Sequence, residues 1–149
     1  MFLGLLPLIA VVILGRGLYS LTLYLAVWAL WLPRGRDVLL VYSDSPHWKH
    51  FIEEEVLPAI HDRAAVLNWS ERRRWSGSVS LPSLLLSKFG GRKEFNPVCI
   101  QFRLFRVHRA YRFLKPIRKW RKTGERKDLD DLLKRFSADL GLVREPRDL

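Results

Sequence analysis

Two apolar runs open the chain. Residues Phe2 to Gly15 carry no charge, Arg16 interrupts, and Gly17 to Pro33 again carry none. A helix needs about 20 apolar residues to cross a bilayer core. Neither run reaches that length alone, and joined through Arg16 they exceed it. The pattern predicts one tilted membrane helix, built from Leu18 to Leu32 plus part of the first run, with Arg16 snorkelling toward the far headgroups. Three other readings compete: a short hairpin turning at Gly15-Arg16-Gly17, a cleaved signal peptide, and a buried core helix. The signal-peptide reading lacks a basic leading region and a small-x-small site before the Trp-rich end. Trp28 and Trp31 fall where an interfacial aromatic belt is expected. Arg34 and Arg36 follow, so the positive-inside rule places the remainder in the cytoplasm.

After Pro33 the pattern changes to short apolar runs punctuated by turn residues. Val38 to Tyr42 is continuously apolar with β-branched residues, as in a strand buried on both faces. Ser43-Asp44-Ser45 is a turn. Ser45 then serves as an N-cap and Pro46 as a first helical residue. Trp48, Phe51, Ile52, Val56 and Ile60 recur at helical spacing, with Glu53 to Glu55 on the wet side and Pro58 expected to bend or shorten the last turn. Ala64 to Trp69 reads as a second strand, which makes a parallel, right-handed βαβ unit. Ser70 to Gly77 is a polar, basic short helix or surface loop. Leu81 to Phe89 reads as a helix, with Pro82 in its first turn and Gly90-Gly91 as its stop. Val98 to Leu104 alternates like a strand, with Val98, Ile100, Phe102 and Leu104 on one face and Cys99, Gln101 and Arg103 on the other. Ala110 to Leu114 returns antiparallel. Asp128 caps a last helix whose Leu129, Leu132, Leu133, Phe136 and Leu140 form one stripe, ended by Gly141. The expected division is an anchor over 1–33, an α/β domain over 34–141 and a flexible tail over 142–149.

The element order is β-α-β-α-β-β-α. Over roughly Asp37 to Gly141 this resembles the minimal thioredoxin-like fold. The apolar first strand DVLLVY, the helix directly after it and Pro97 just before the third strand carry the resemblance. It implies that Pro97 is cis and borders the site. It also implies a Cys-x-x-Cys at the start of the first helix, where this chain reads SDSPHWKH. Dithiol exchange is therefore impossible at that position. A Rossmann-like or flavodoxin-like fragment is the alternative fold, although neither G-x-G-x-x-G nor G-x-x-x-x-G-K-[ST] occurs.

Charge sharpens the picture. The 149 residues carry a net +11. Residues 33–149 alone hold 25 Lys and Arg against 15 Asp and Glu, so the basic character belongs to the α/β part. An acidic surface is the expected neighbour. Between Lys88 and Lys127 stand 14 basic residues and two acids, Glu94 and Glu125. Arg106, Arg109, Arg112, Lys115, Arg118, Lys119, Arg121 and Lys122 are the candidates for anionic headgroups. Stacking of nucleic-acid bases on the interleaved aromatics is the weaker reading, because those aromatics alternate like core positions.

The densest polar constellation is the turn after the first strand. Ser43, Asp44, Ser45 and His47, with Pro97, form a candidate ligand rim at a strand end and a helix start. His47 with Asp44 as orienter could act as a base, and a capped helix start with solvated histidines is the bland alternative. Asp44, His47 and His50 lack a further ligand, so no metal is expected. No cofactor motif is present. Ser43 and Ser45 lack a nucleophile elbow. Cys99 is expected to be buried and inert. These readings converge on a single-pass, cytoplasm-facing membrane protein, an interaction or scaffolding module at an anionic lipid surface. A possible protein partner fits, and redox activity does not. The enzymatic alternative is a transferase or hydrolase acting on an anionic substrate at the Ser43–His47 turn.

Overall fold

A computed structural model of the chain describes residues 4–142. The predicted tail, but for Leu142, lies outside them. Helix α1 spans Leu5–Ala26 and continues through a π-helical turn, Val27–Trp31, and a single 3-10 turn, Leu32–Arg34. It runs unbroken through Gly15, Arg16 and Gly17, so the hairpin reading is overturned. Two glycines flanking one arginine do not stop a helix whose other positions are apolar. Gly35, at φ +73°, reverses the chain after Arg34, a conformation that favours glycine.

Four strands follow: β1 Val38–Tyr42, β2 Ala64–Asn68, β3 Val98–Arg103 and β4 Arg106–Arg112. They form one sheet in the order β2-β1-β3-β4. β1 and β2 are parallel, and β3 is antiparallel to both β1 and β4. The fold is thus mixed α/β with a long apolar N-terminal helix. β1 is central and buried along its whole length, as its unbroken apolar run requires. β4 begins four residues before the predicted Ala110, because the tight turn Leu104-Phe105 lets pairing resume at Arg103 and Arg106.

The helices divide between the two faces. α2, residues 49–60, packs with α5, Leu114–Thr123, and α6, Lys127–Asp139, on the face carrying Val38, Leu40, Tyr42, Cys99, Tyr111 and Phe113. α3 is the short helix Arg72–Trp75. α4, Leu81–Phe89, packs on the other face against Leu39, Val41, Val98, Ile100 and Phe102. Its start is a capping box between Ser80 and Ser83, with Pro82 in the first turn. The predicted alternation in β3 holds from Val98 to Arg103. Leu104 instead sits in the turn and is exposed.

The second face has a further cover that the sequence pattern did not announce. Leu23, Val27 and Trp31, on successive turns of α1, are buried there. Trp31 meets Phe102 edge-on at 6.2 Å. The Trp28 indole N–H donates to the Arg103 carbonyl at 3.2 Å. These two tryptophans were expected at a lipid interface; Trp31 is a core residue instead. The last third of α1, with the turn that continues it, therefore belongs to the sheet's core.

Three capping expectations also change. α2 begins at Lys49 rather than after Ser45, because Ser45 closes a tight turn: its carbonyl accepts from the Trp48 and Lys49 N–H groups. Pro58 does not shorten α2; a π-helical turn over Ile52–Val56 absorbs it, and the helix runs on to Ile60. Asp128 makes no cap. It lies inside the first turn of α6, where Lys119 reaches it at 2.9 Å.

Candidate functional site

β1 and β3 bring the predicted rim together. Val41 pairs with Val98, so Ser43 and Pro97 leave the sheet at the same end. The Asn96-Pro97 bond is cis, and Pro97 is buried. Ser43 is buried too, and its Oγ accepts from the Trp48 indole N–H at 3.2 Å. Ser45 Oγ accepts from the His47 backbone N–H at 3.3 Å.

Asp44 is fully engaged by its neighbours. Its carboxylate accepts from the Asn68 amide at 3.0 Å and from Lys49 Nζ at 3.0 Å, and its backbone N–H donates to Ser70 Oγ at 2.9 Å. The Asn68 hydrogen bond, and then Lys49, hold its carboxyl below the usual range. A carboxylate held ionised by a lysine and an amide is a turn brace. Among the described residues, no hydrogen bond joins it to His47, so the base–orienter pair is not assembled. His50 pairs instead with Glu54 at 3.0 Å. The described residues contain no cluster of three or more His, Cys, Asp or Glu able to hold a metal.

The Cys99 thiol is fully buried, and burial pushes its pKa upward. It lies inside the sheet, on the face covered by α2, α5 and α6.

Beside the rim is a groove that the sequence did not point to. Its volume is about 500 Å³, and Trp69, Trp75, Phe95, Leu84 and Leu86 line it together with Arg72 and Arg73. Trp69 sits edge-on to Phe95 at 4.6 Å and 5.9 Å from Trp75, while the Arg72 guanidinium lies 5.4 Å over the Trp69 ring. Asn68 joins groove to rim. Its side chain donates to Asp44, and its carbonyl accepts from the Trp75 indole N–H at 3.0 Å. The alternation of Trp with Ser and Arg in WSERRRWS was the available clue. Its polarity made it read as a short helix or a surface loop, and the short helix is what forms.

The eight basic candidates separate into two kinds. Arg112 turns inward and donates to the carbonyls of Gly90, Lys93 and Glu94, tying down the loop before β3. Arg109 pairs with Asp139 at 2.6 Å, Lys115 with Glu94 at 2.9 Å, and Lys119 bridges Glu125 and Asp128. Arg106, Arg118, Arg121 and Lys122 are exposed and pair with no acid among the described residues. Three of these four lie on α5.

α1 carries a row of exposed apolar side chains. Leu5, Leu8, Ile9, Val12, Leu14 and Leu18 are each about half exposed or more. The helix is long and apolar enough to cross a membrane. At the level where it meets the domain, Lys88 Nζ lies 5.7 Å over the Tyr19 ring. One turn further, the Tyr24 hydroxyl hydrogen-bonds His108 Nδ1 at 2.7 Å. Burial, and then Arg112, lower the His108 pKa and so favour its neutral imidazole. No protein family, no curated protein and no solved structure matches this chain.

Proposed function

We propose that this chain is a membrane-anchored interaction module: a thioredoxin-like domain without redox cysteines, held on the cytoplasmic side of an anionic bilayer by a single helix. The observation that carries the reading is the way α1 is mounted. Its first turns expose apolar side chains to the surroundings, while Leu23, Val27 and Trp31 are fixed in the core of a strongly basic domain. Exposed apolar surface on that scale needs an apolar partner. A helix rigidly joined to the domain holds its cations at a set distance from the surface. The strand order β2-β1-β3-β4, with one parallel and two antiparallel pairings, supports the thioredoxin-like assignment. Arg34 and Arg36, and the basic excess beyond them, support the cytoplasmic orientation.

The groove favours a second reading, binding of an anionic ligand beside the Ser43–His47 turn. Arg72 and Arg73 in its lining would meet the charge, and the tryptophans the apolar part.

The test of anchoring uses the full chain in native membranes. It should stay in the pellet after an alkaline carbonate wash. Protease should cleave the domain in inverted vesicles and spare it in sealed right-side-out ones. Release by carbonate would sink the anchor, and cleavage in right-side-out vesicles would reverse the orientation.

A further inference from the structure

The face of α1 that turns away from the domain continues onto a second element. Leu14, Leu18, Leu21 and Leu25, at i, i+4, i+7 and i+11, form an exposed stripe on that face. Arg16 lies seven residues before Leu23, on the opposite stripe, which continues through Val27 and Trp31 into the domain. The part of α1 clear of the domain, Leu5 to Leu18, covers only about 21 Å at 1.5 Å per residue, against roughly 30 Å of hydrocarbon. To fill the core, the helix must take its next turns into the bilayer, although their inner side is docked on the sheet. An upright crossing would then carry Arg16 into hydrocarbon, where an unpaired charge is costly. A tilted crossing with the leucine stripe on its lower side puts Arg16 on the upper side, from which its long side chain snorkels back toward the headgroups on the domain side.

In that attitude the β3–β4 turn meets the surface. The Phe105 ring lies 5.1 Å from Trp28 of α1. Phe105 is 80% exposed, Val107 71% and Leu104 52%, with the exposed cation Arg106 between them. Phe105 also holds φ +55°, a left-handed backbone conformation that favours glycine. Beyond its edge contact with Trp28, the ring of Phe105 is left open to the surroundings.

We propose that the Leu104–Val107 turn is a second membrane-inserting element, with Phe105 entering the acyl–headgroup boundary and Arg106 meeting an anionic headgroup. α1 and the turn together then fix the tilt of the domain on the bilayer. This rests on the membrane reading above.

The test uses the full chain in vesicles of mixed zwitterionic and anionic phospholipid. Variants with one added cysteine, Leu14→Cys, Phe105→Cys and Val79→Cys, carry an environment-sensitive fluorophore; the native Cys99 is buried and stays unlabelled. Lipids with quenchers at shallow or deep acyl positions are included. The expected result is deep quenching at Leu14, shallow quenching with a blue shift at Phe105, and neither at Val79, which is 90% exposed elsewhere. Quenching at Leu14 with a Phe105 label that behaves like Val79 overturns the insertion and leaves the anchor standing. No quenching at Leu14 overturns both. Energy transfer between Phe105 labels on different copies, without lipid quenching, would assign the turn to self-association and overturn the proposal. Phe105→Gly, read by a label at Val107→Cys, guards against misfolding: relief of the left-handed strain should keep or raise the melting temperature, while the blue shift is lost.

Discussion

At the residue scale, two kinds of polar contact hold the domain. Asp37 and Arg63 form a bidentate pair that is largely shielded, with side chains 16% and 29% exposed, and Arg63 also donates to the Leu140 carbonyl at 2.8 Å. The pair joins the start of β1 to the end of α6. Asp37→Ala leaves the guanidinium without its partner and should cost about 2 kcal/mol, less than for a fully buried pair. Urea denaturation of the full chain in detergent would measure it, and an unchanged midpoint would show the pair to be idle. The second kind is the buried tyrosine. Burial, and then a hydrogen bond to Glu53, push Tyr42 up from 10.0 to about 12; burial, and then Asp139, do the same for Tyr111. A phenol whose folded pKa is raised favours its neutral form in the fold. Its stabilisation is complete below pH 10 and is lost as pH rises from 10 toward 12. Stability should therefore fall across that window, and the double variant Tyr42→Phe, Tyr111→Phe should flatten the fall. An equal slope in the variant would assign it to other groups.

At the element scale, α1 is part of the sheet's cover and not an appendage. Leu39, Val41, Ile100 and Phe102 on β1 and β3 are fully buried partly by Leu23, Val27 and Trp31. A fragment starting at Arg34 exposes that face and should aggregate, whereas one starting at Tyr19 should remain folded in mild detergent. In the full chain, Trp31→Ala should cost about 3 kcal/mol, the lower end for removing a large aromatic from a core. Size-exclusion profiles and melting temperatures decide both. This docking was illegible in the sequence because Leu23, Val27 and Trp31 sit in a run that is apolar on every face, so no periodicity marks the side that packs. The opposite holds for β1, α4 and α6, where apolar runs or stripes, Pro82, Gly90-Gly91 and Gly141 set the elements out plainly. The misplaced start of α2 and the survival of its last turn past Pro58 have one cause: local capping and proline rules gave way to packing. Phe51, Ile52, Val56 and Ile60 all reach the core, and the wider π turn keeps them there while sparing the Glu54 carbonyl a clash with the proline ring. The same device precedes Pro33 in the turn Val27–Trp31. At the candidate site, the sequence located the rim but not its neighbours. Asp44's partners Asn68 and Ser70 come from the end of β2 and just beyond, and only the parallel pairing of β1 with β2 brings them close.

At the scale of the whole molecule, the question is where the unpaired charge points. Lys115, Lys119 and Arg109 are neutralised within the domain and Arg112 is a brace, so the predicted cationic strip shrinks to Arg106 at the β turn and Arg118, Arg121 and Lys122 on α5. A basic residue beside an anionic surface contributes about 1 kcal/mol, so three on one helix reach roughly 3 kcal/mol, on the order of a 100-fold preference. That attraction falls off within about 10 Å at 0.1 M salt, so it acts only if α5 lies near the headgroups. Hydrogen exchange on the full chain in nanodiscs distinguishes the cases. The α5 amides should be more protected in anionic than in neutral nanodiscs, and the difference should vanish at high salt. The variant Arg118→Gln, Arg121→Gln, Lys122→Gln should abolish it without changing the protection of β1, since all three side chains are exposed and make no described ion pair. Equal protection in both lipids would confine the anionic contact to the β3–β4 turn and the Lys88 side of α4, and leave α5 free to meet a protein partner.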